Sequence, residues 1–382
     1  MRKVLHVVED LNRGAVENWL VRMLRHARSQ GQPVDWDFYC VSGSKGVLDD
    51  EARALGAKVI HSPVQIGEKL AFMGALRSQV NAGQYNILHC HHDLVSAAYL
   101  VASLGTSVRW RIVHIHNADE QVLTPSALKQ LLYRGPMRHA CLAIADLVVG
   151  NSNHSLDHFL SGRRRRPGRD RVHYYGIDPA PFERRELARD RFRAELGLAQ
   201  DAQILLFAGR MVPEKNPLFS VDVLAELHRL DPRVAGVFVG AGSLTEPVAQ
   251  RASQTSLNAI FRHMGWRDDI PDIMGCCDWF ILSRPDGPME GFGIAVVEAQ
   301  LAALRMLLSD RIADDPLLPS ACFKRLPLAA GPAAWAEAAI DLREYTMPSR
   351  TAAFADFQRS PMAMSAALND LLTLHDYDRK LA

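Results

Sequence analysis

The chain has 382 residues, with 44 Lys+Arg against 43 Asp+Glu and a formal net charge of +1. Apolar residues make up 48% and charged residues 23%, which excludes wholesale disorder, and the near-neutral balance excludes a protein that coats nucleic acid. The balance hides an asymmetry: residues 1–180 hold 22 basic and 16 acidic residues, a net +6, and the remainder holds 22 and 27, a net −5.

Short apolar runs alternate with helix-period segments along most of the chain. Strands are expected at Lys3–Val8, Trp36–Val41, Lys58–His61, Asn86–Cys90, Arg111–Ile115, Leu147–Gly150 and Val172–Tyr175. Helices fall between them at Ala15–Arg28, Leu48–Leu55, Lys69–Asn81, Leu94–Leu104 and Ala127–Ala143. The alternation restarts with strands Ile204–Ala208, Val234–Val239, Ala259–Met264, Trp279–Ser283 and Met306–Ser309, and the tail reads as mostly helical. Strands alternating with helices of 10–15 residues mean βαβ units and parallel sheets. The fold class is therefore α/β, with two doubly wound Rossmann-like domains facing across a cleft. The expected divisions are 1–175, a linker and entry segment 176–200, a second domain 201–345, and a helical tail 346–382 that packs back on the first domain.

No C-x-x-C pair occurs among Cys40, Cys90, Cys141, Cys276, Cys277 and Cys322, which points to reduced, buried thiols. The apolar run after Met1 ends at Glu9 and Asp10, too soon for a signal peptide, and the uncharged stretch Leu94–Val108 is shorter than the roughly 20 residues of a membrane span. A cytoplasmic location is expected.

Ligands of doubly wound sheets sit outside the carboxyl ends of the strands. Four motifs fall there. Gly209-Arg-Met-Val-Pro-Glu-Lys215 follows one strand and precedes a helix; its fork-shaped Arg210 and point-charge Lys215, beside a helix N-terminus, suit a diphosphate. Glu290-Gly291-Phe292-Gly293 opens the helix that carries Glu298, so backbone amides there can receive phosphate oxygens while the carboxylates accept from paired sugar hydroxyls. Gly14, three residues before Glu17, lies at the first strand-to-helix turn and permits close approach of a ligand. His114 and His116 share one face of their strand, where His116 can hydrogen-bond a substrate hydroxyl. A zinc reading of His89, His91, His92, His114 and His116 finds no third-ligand spacing, and no metal is expected. The run Arg163–Arg166 with Arg169 and Arg171 is a solvated loop or a site for anionic lipid or a phosphorylated acceptor. The segment Gly265-Trp-Arg267-Asp-Asp, at a strand end, is expected to read the nucleotide base.

Together these motifs resemble the retaining glycosyltransferases of family 4, which adopt the GT-B fold. Gly209, Arg210 and Lys215 match the family's G-R-x4-K, and Glu290 and Glu298 its E-x7-E. Tyr175-Gly-Ile-Asp-Pro and the His-Ile-His116-Asn block are similar to its exopolysaccharide branch. Two departures are visible: the usual Gly-Asp-Gly-Pro reads Gly240-Ala-Gly-Ser, and the approach to the first glutamate, Ser283-Arg-Pro-Asp-Gly-Pro-Met-Glu290, is longer than usual.

The resemblance implies a transferase that moves a sugar from a UDP- or GDP-sugar donor to a glycan or polyprenyl-diphosphate-linked acceptor in surface polysaccharide biosynthesis. Arg210 and Lys215 would hold the diphosphate, helped by amides at Gly14, Gly291, Phe292 and Gly293. Glu290 would bind sugar hydroxyls, Glu298 the ribose, and His116 would orient the transferring sugar. No metal or other cofactor is implied. Contact of the basic half with an anionic membrane surface is a further expectation. The alternatives are a GT-B epimerase or phosphorylase, or a catalytically inactive glycosyltransferase-like partner protein.

Overall fold

The computed structural model describes residues 2–12, 14–117, 127–183 and 189–377. The chain divides into two compact units, Met1–Ile177 with Pro361–Ala382, and Asp178–Ser360.

The first unit holds strands β1 (Lys3–Val8), β2 (Asp35–Cys40), β3 (Val59–His61), β4 (Ile87–Cys90), β5 (Trp110–Ile115), β6 (Leu147–Gly150) and β7 (Asp170–Val172). All pair in parallel in the order β3-β2-β1-β4-β5-β6-β7. The chain winds outward from β1 in one direction and then returns to build from β4 in the other. The switch between β1 and β4 opens a crevice at their carboxyl ends. Buried, mostly apolar residues run through the central strands, interrupted by His6, His89 and His114, because helices cover both faces of such a sheet. Leu5, Val7, Leu88, Cys90, Val113 and Ile115 join one core beneath Phe72, Leu76 and Tyr99.

The second unit repeats the plan with β8 (Gln203–Ala208), β9 (Val234–Val239), β10 (Phe261–His263), β11 (Trp279–Leu282), β12 (Arg305–Ser309) and β13 (Phe323–Leu326), in the order β10-β9-β8-β11-β12-β13. Its switch point lies between β8 and β11. Leu205, Phe207, Phe238 and Ile281 pack against Leu224 and Leu227 of helix Pro217–Leu230 and against Trp335 and Ala339 of helix Gly331–Asp341.

The structure corrects three expectations. The stretch after Ser309 contains an edge strand, β13, whose central Lys324 and Arg325 hide it from a search for apolar runs. The segment 176–200, expected as linker and entry, belongs to the second unit from Asp178 on. Helices Ala180–Glu183 and Arg189–Glu195 belong to the second unit: Phe182 is buried, and buried Arg193 donates Nε–H to the Ala202 carbonyl at 2.8 Å. The tail returns to the first unit at Pro361 rather than at 346, because helix Arg350–Arg359 packs on helix Ile294–Leu301. Helix Asn153–Leu160, also absent from the sequence expectations, starts on reciprocal serine caps. Ser152 Oγ accepts from Ser155 N–H at 3.0 Å, and Ser155 Oγ accepts from Ser152 N–H at 3.1 Å.

Leu224 is fully buried between its helix and the second sheet. Leu224→Ala is expected to cost about 2–5 kcal/mol with the fold retained. A lowered denaturant midpoint for the second unit, with an unchanged far-ultraviolet spectrum, checks this.

Candidate active site

In the second unit the loops after β8 and β9 are joined by backbone. Gly209 N–H bonds Val239 O (3.0 Å), Met211 N–H bonds Ala241 O (3.0 Å) and Leu244 N–H bonds Met211 O (2.8 Å). Gly240 has φ +130°, and a Cβ there would collide with the Gly209 carbonyl, so this position takes glycine for two reasons. The loop after β8 then makes a single helical turn, Pro213–Lys215, and reverses at Asn216 in the left-handed region (φ 48°) into helix Pro217–Leu230. Ser283, at the end of β11, ties this turn down: its Oγ donates to Asn216 O (3.0 Å) and contacts Ser220 Oγ (2.9 Å).

This scaffold aims Lys215 at the first residue of the second motif. Lys215 Nζ donates to Glu290 Oε1 at 2.6 Å, and Arg284 donates from Nη1 to Oε2 of the same carboxylate at 3.0 Å. All three side chains are largely withdrawn from solvent, at 19%, 12% and 13% exposure for Lys215, Arg284 and Glu290. Burial alone would raise the Glu290 pKa, but the two cations outweigh it, and the net shift is below the usual glutamate range. Arg284 also donates through Nε to Pro288 O (2.7 Å), and Glu290 N–H bonds Arg311 O (2.8 Å). The longer approach to the glutamate is thus folded around a cation that the sequence motifs did not assign. A cation six residues before the motif glutamate, just past a strand end, is the signal that points to it.

Of the other expected residues, Arg210 is exposed and stands outside this ion-pair cluster. Gly291 leads into buried Phe292 and then Gly293, whose φ of 82° starts helix Ile294–Leu301, with half-buried Glu298 inside it. Trp266, after β10, is 49% exposed, and Arg267 pairs with Asp269 at 2.5 Å beside it.

In the first unit, Gly14 caps helix Ala15–Ser29 at the crevice end of β1. A Cβ at Gly14 would run into the Glu17 carboxylate. Glu17 is pushed from 4.5 up to about 7, mainly by burial, with Asp10 and Glu9 adding to it and a backbone hydrogen bond opposing. His116 lies past the end of β5 and is 6% exposed, and both of its ring nitrogens are engaged: Nδ1 with Tyr175 Oη (2.6 Å) and Nε2 with His91 Nδ1 (2.9 Å). It is built into a buried network rather than presented at an open surface. Arg165, Arg166 and Arg169 are likewise committed to local structure. Arg165 bonds Asp157 (2.7 Å), and Arg166 and Arg169 donate to carbonyls at the C-terminal end of helix Ala127–Ile144; Arg163 and Arg164 are exposed, as Arg165 and Arg166 also are.

Two family models match this chain, Glycosyltransferase Family 4 over residues 16–181 and Glycosyl transferases group 1 over residues 188–312. The chain belongs to glycosyltransferase family 4. Among relatives of this glycosyltransferase, EpsF of Bacillus subtilis (strain 168), whose own glycosyltransferase activity is a provisional assignment, is 27% identical over 88% of this chain and 86% of its own length. An Escherichia coli UDP-Gal:α-D-GlcNAc-diphosphoundecaprenol α-1,3-galactosyltransferase is 24% identical over 69% of this chain and 67% of its own. Anabaena HepE, crystallised with UDP-glucose, superposes with a TM-score of 0.77 at 19% identity, covering 98% of this chain and all of that one. Both Rossmann-like units thus match the GT-B architecture.

Two pH responses follow. Glu290 is held ionised, so its stabilisation is present above the ordinary glutamate pKa and is lost as pH falls through the lowered one. In Arg284→Ala one cation is gone, and that loss begins at higher pH; Tm measured as a function of pH, with Glu290 followed by carboxylate NMR, checks this. Glu17 shows the opposite sign: its contribution is complete below about pH 4.5 and lost as pH rises through about 7. Glu17→Gln should flatten that slope between pH 5 and 7.

Proposed function

We propose that this glycosyltransferase transfers a sugar from a UDP-sugar to a polyprenyl-diphosphate-linked glycan, with retention at the anomeric carbon, in the assembly of a surface polysaccharide. The observation that carries the reading is the convergence of Lys215 and Arg284 on Glu290 at the switch point between β8 and β11. A buried carboxylate kept ionised there is a ready acceptor for sugar hydroxyls. Lys215, together with exposed Arg210, supplies positive charge where a departing diphosphate accumulates negative charge, beside the N-terminus of helix Pro217–Leu230. These cations do the charge stabilisation, and the chemistry requires no metal from the protein. Glu298 binds the ribose, and Trp266 with its neighbours meets the base. Amides at Gly291, Phe292 and Gly293 receive phosphate oxygens. His116 reaches a sugar hydroxyl only by releasing Tyr175 or His91, so its part depends on that exchange.

The donor base and acceptor class rest on likeness to proteins that bind UDP-glucose or use a diphosphoundecaprenol-linked acceptor. A lipid-linked acceptor lies at the inner face of a cytoplasmic membrane, where exposed Arg163 and Arg164 meet anionic headgroups. No helix among the described residues is long and apolar enough to cross a membrane.

A nucleotide-sugar panel should raise Tm with a UDP-sugar and not with GDP-sugars. With the true acceptor, Lys215→Ala and Arg210→Ala should each lower kcat by about 10²–10³-fold. The anomeric configuration of the product, read by NMR, should equal that of the donor. Turnover without acceptor, or only with added inorganic phosphate, favours an epimerase or a phosphorylase, and full turnover by Lys215→Ala removes the assigned role.

A further inference from the structure

Seven histidines meet inside the first unit: His6 of β1, His89 of β4 with His91 just beyond it, His114 of β5 with His116 just beyond it, His173 after β7, and His375 at the end of helix Met364–Leu374. None is more than 6% exposed. The strand period of two puts His89 with His91, and His114 with His116, on one face, and the parallel register places His6 opposite His89. Trp19 of helix Ala15–Ser29 lies over His91, His114, His116 and His173. Burial lowers the pKa of His6, His89, His91, His114, His116 and His375, so these rings are neutral and each carries one lone pair.

The rings bond mostly to one another. His375 Nε2 contacts His89 Nδ1 (3.0 Å), His89 Nε2 contacts His114 Nδ1 (3.2 Å), and His6 Nδ1 contacts His91 Nε2 (3.1 Å). These chains end on buried nitrogens with no partner among the described residues: His6 Nε2, His114 Nε2 and His375 Nδ1. Protein interiors seldom leave buried polar atoms unpaired, and an unexplained set of them points to a missing ion or water.

Two triads bring one ring nitrogen from each member within 4.8 Å of the others: His6, His89 and His375, and His89, His91 and His114. His89 has both nitrogens engaged, by His375 and His114, and so does His91, by His6 and His116, so the second triad holds two fully engaged rings and the first only one. In the first, His6 and His375 each have an open nitrogen. His89 Nδ1 and His375 Nε2, now hydrogen-bonded to each other at 3.0 Å, are already spaced close to the roughly 3.3 Å between two imidazole nitrogens on one tetrahedral ion with bonds of about 2.0–2.1 Å, so an ion would take the place of that ring-to-ring bond.

We infer that His6, His89 and His375 form a buried site for one divalent transition-metal ion of the zinc class, which fastens the C-terminal return segment to the first sheet. Three imidazoles without a carboxylate or thiolate suit Zn²⁺, Co²⁺, Ni²⁺ or Cu²⁺ and not Mg²⁺ or Ca²⁺. The fourth position falls to water or hydroxide, and hydroxide offsets part of the charge. The linear sequence conceals the site because His89 and His375 are 286 residues apart. The ion is structural: its ligands all belong to the first unit, whereas Lys215 and Glu290 belong to the second, so the inference stands apart from the proposed transfer reaction.

The test uses the full chain, purified without a histidine tag and dialysed against a chelator. Loading with Zn²⁺ should leave about one tightly held equivalent by elemental analysis and raise Tm, and Co²⁺ should give the visible absorption of a tetrahedral nitrogen-ligated site. His375→Gln and His6→Gln should each lose the equivalent and the Co²⁺ band, with the folded state checked by circular dichroism. His154→Gln and His158→Gln, which alter a pair on helix Asn153–Leu160 outside the cluster, should keep both. The absence of stoichiometric metal and of a Co²⁺ band in the unmutated chain overturns the inference without reference to any variant. So does retention of the metal by folded His375→Gln and His6→Gln, or its loss on changing His154 or His158.

Discussion

The Glu290 carboxylate is the constraint around which the second unit's site is arranged. A carboxylate at 13% exposure would on its own take up a proton or find water; here two cations approach it, one on each oxygen. Removing the carboxylate from such a cluster would leave two neighbouring cations without their common partner, typically at a cost of about 3–5 kcal/mol for a buried pair, so the loops that supply the partners are bound to each other's conformation. That dependence explains the rigid features around it: the turn at Asn216, the Ser283–Ser220 contact, and the folding of residues 284–290 around Arg284. Any hydroxyl donor that approaches Glu290 meets an acceptor whose charge state and direction are already fixed.

The two units solve one architectural problem with different interiors. Each is a parallel sheet whose strand order reverses beside its first strand, so each has a crevice at the carboxyl ends. In the second unit the polar groups gather in loops at that edge. In the first they extend inward: a face of β1, β4 and β5 that would ordinarily carry Val or Ile carries imidazoles packed ring against ring, stacked or tilted, at centroid distances of 4.3–5.5 Å. A neutral ring is flat and apolar enough to pack, yet each ring needs a partner for its lone pair and its N–H. The interior is therefore ordered by hydrogen-bond direction as well as by shape.

Most strands were legible because a helix-covered parallel strand must be a short apolar run, as Ile204–Ala208 and Val234–Val239 are. β13 was not, since an edge strand with one partner tolerates Lys324 and Arg325. The motifs pointed to the loops after β8 and β11 because glycine and cations next to strand ends have few structural reasons to be there. Pair contacts that cross the fold leave no such trace. Nothing in the spacing joins Arg284 to Lys215 across β11 and β8, or His6 to His375. Residue type without three-dimensional neighbours also leaves burial unread: His116 reads as a polar group at a strand end, and the fold encloses it between His91 and Tyr175.

The first unit is interrupted in sequence, and this bears on how the chain matures. Residues 178–360 form a contiguous body that can fold as it leaves the ribosome. The sheet made much earlier must wait for residues 361–377: Ile177 bridges to Ala363, Trp110 donates its indole N–H to Leu374 O at 3.0 Å, and Arg171 and His173 share Asp370. Until residues 361–377 have emerged, the face bearing His6, His89 and Trp36 lacks the cover that His375 gives it. The half synthesised first is thus the half completed last, and a chain cut short before residue 361 would expose part of the interior of its own N-terminal sheet.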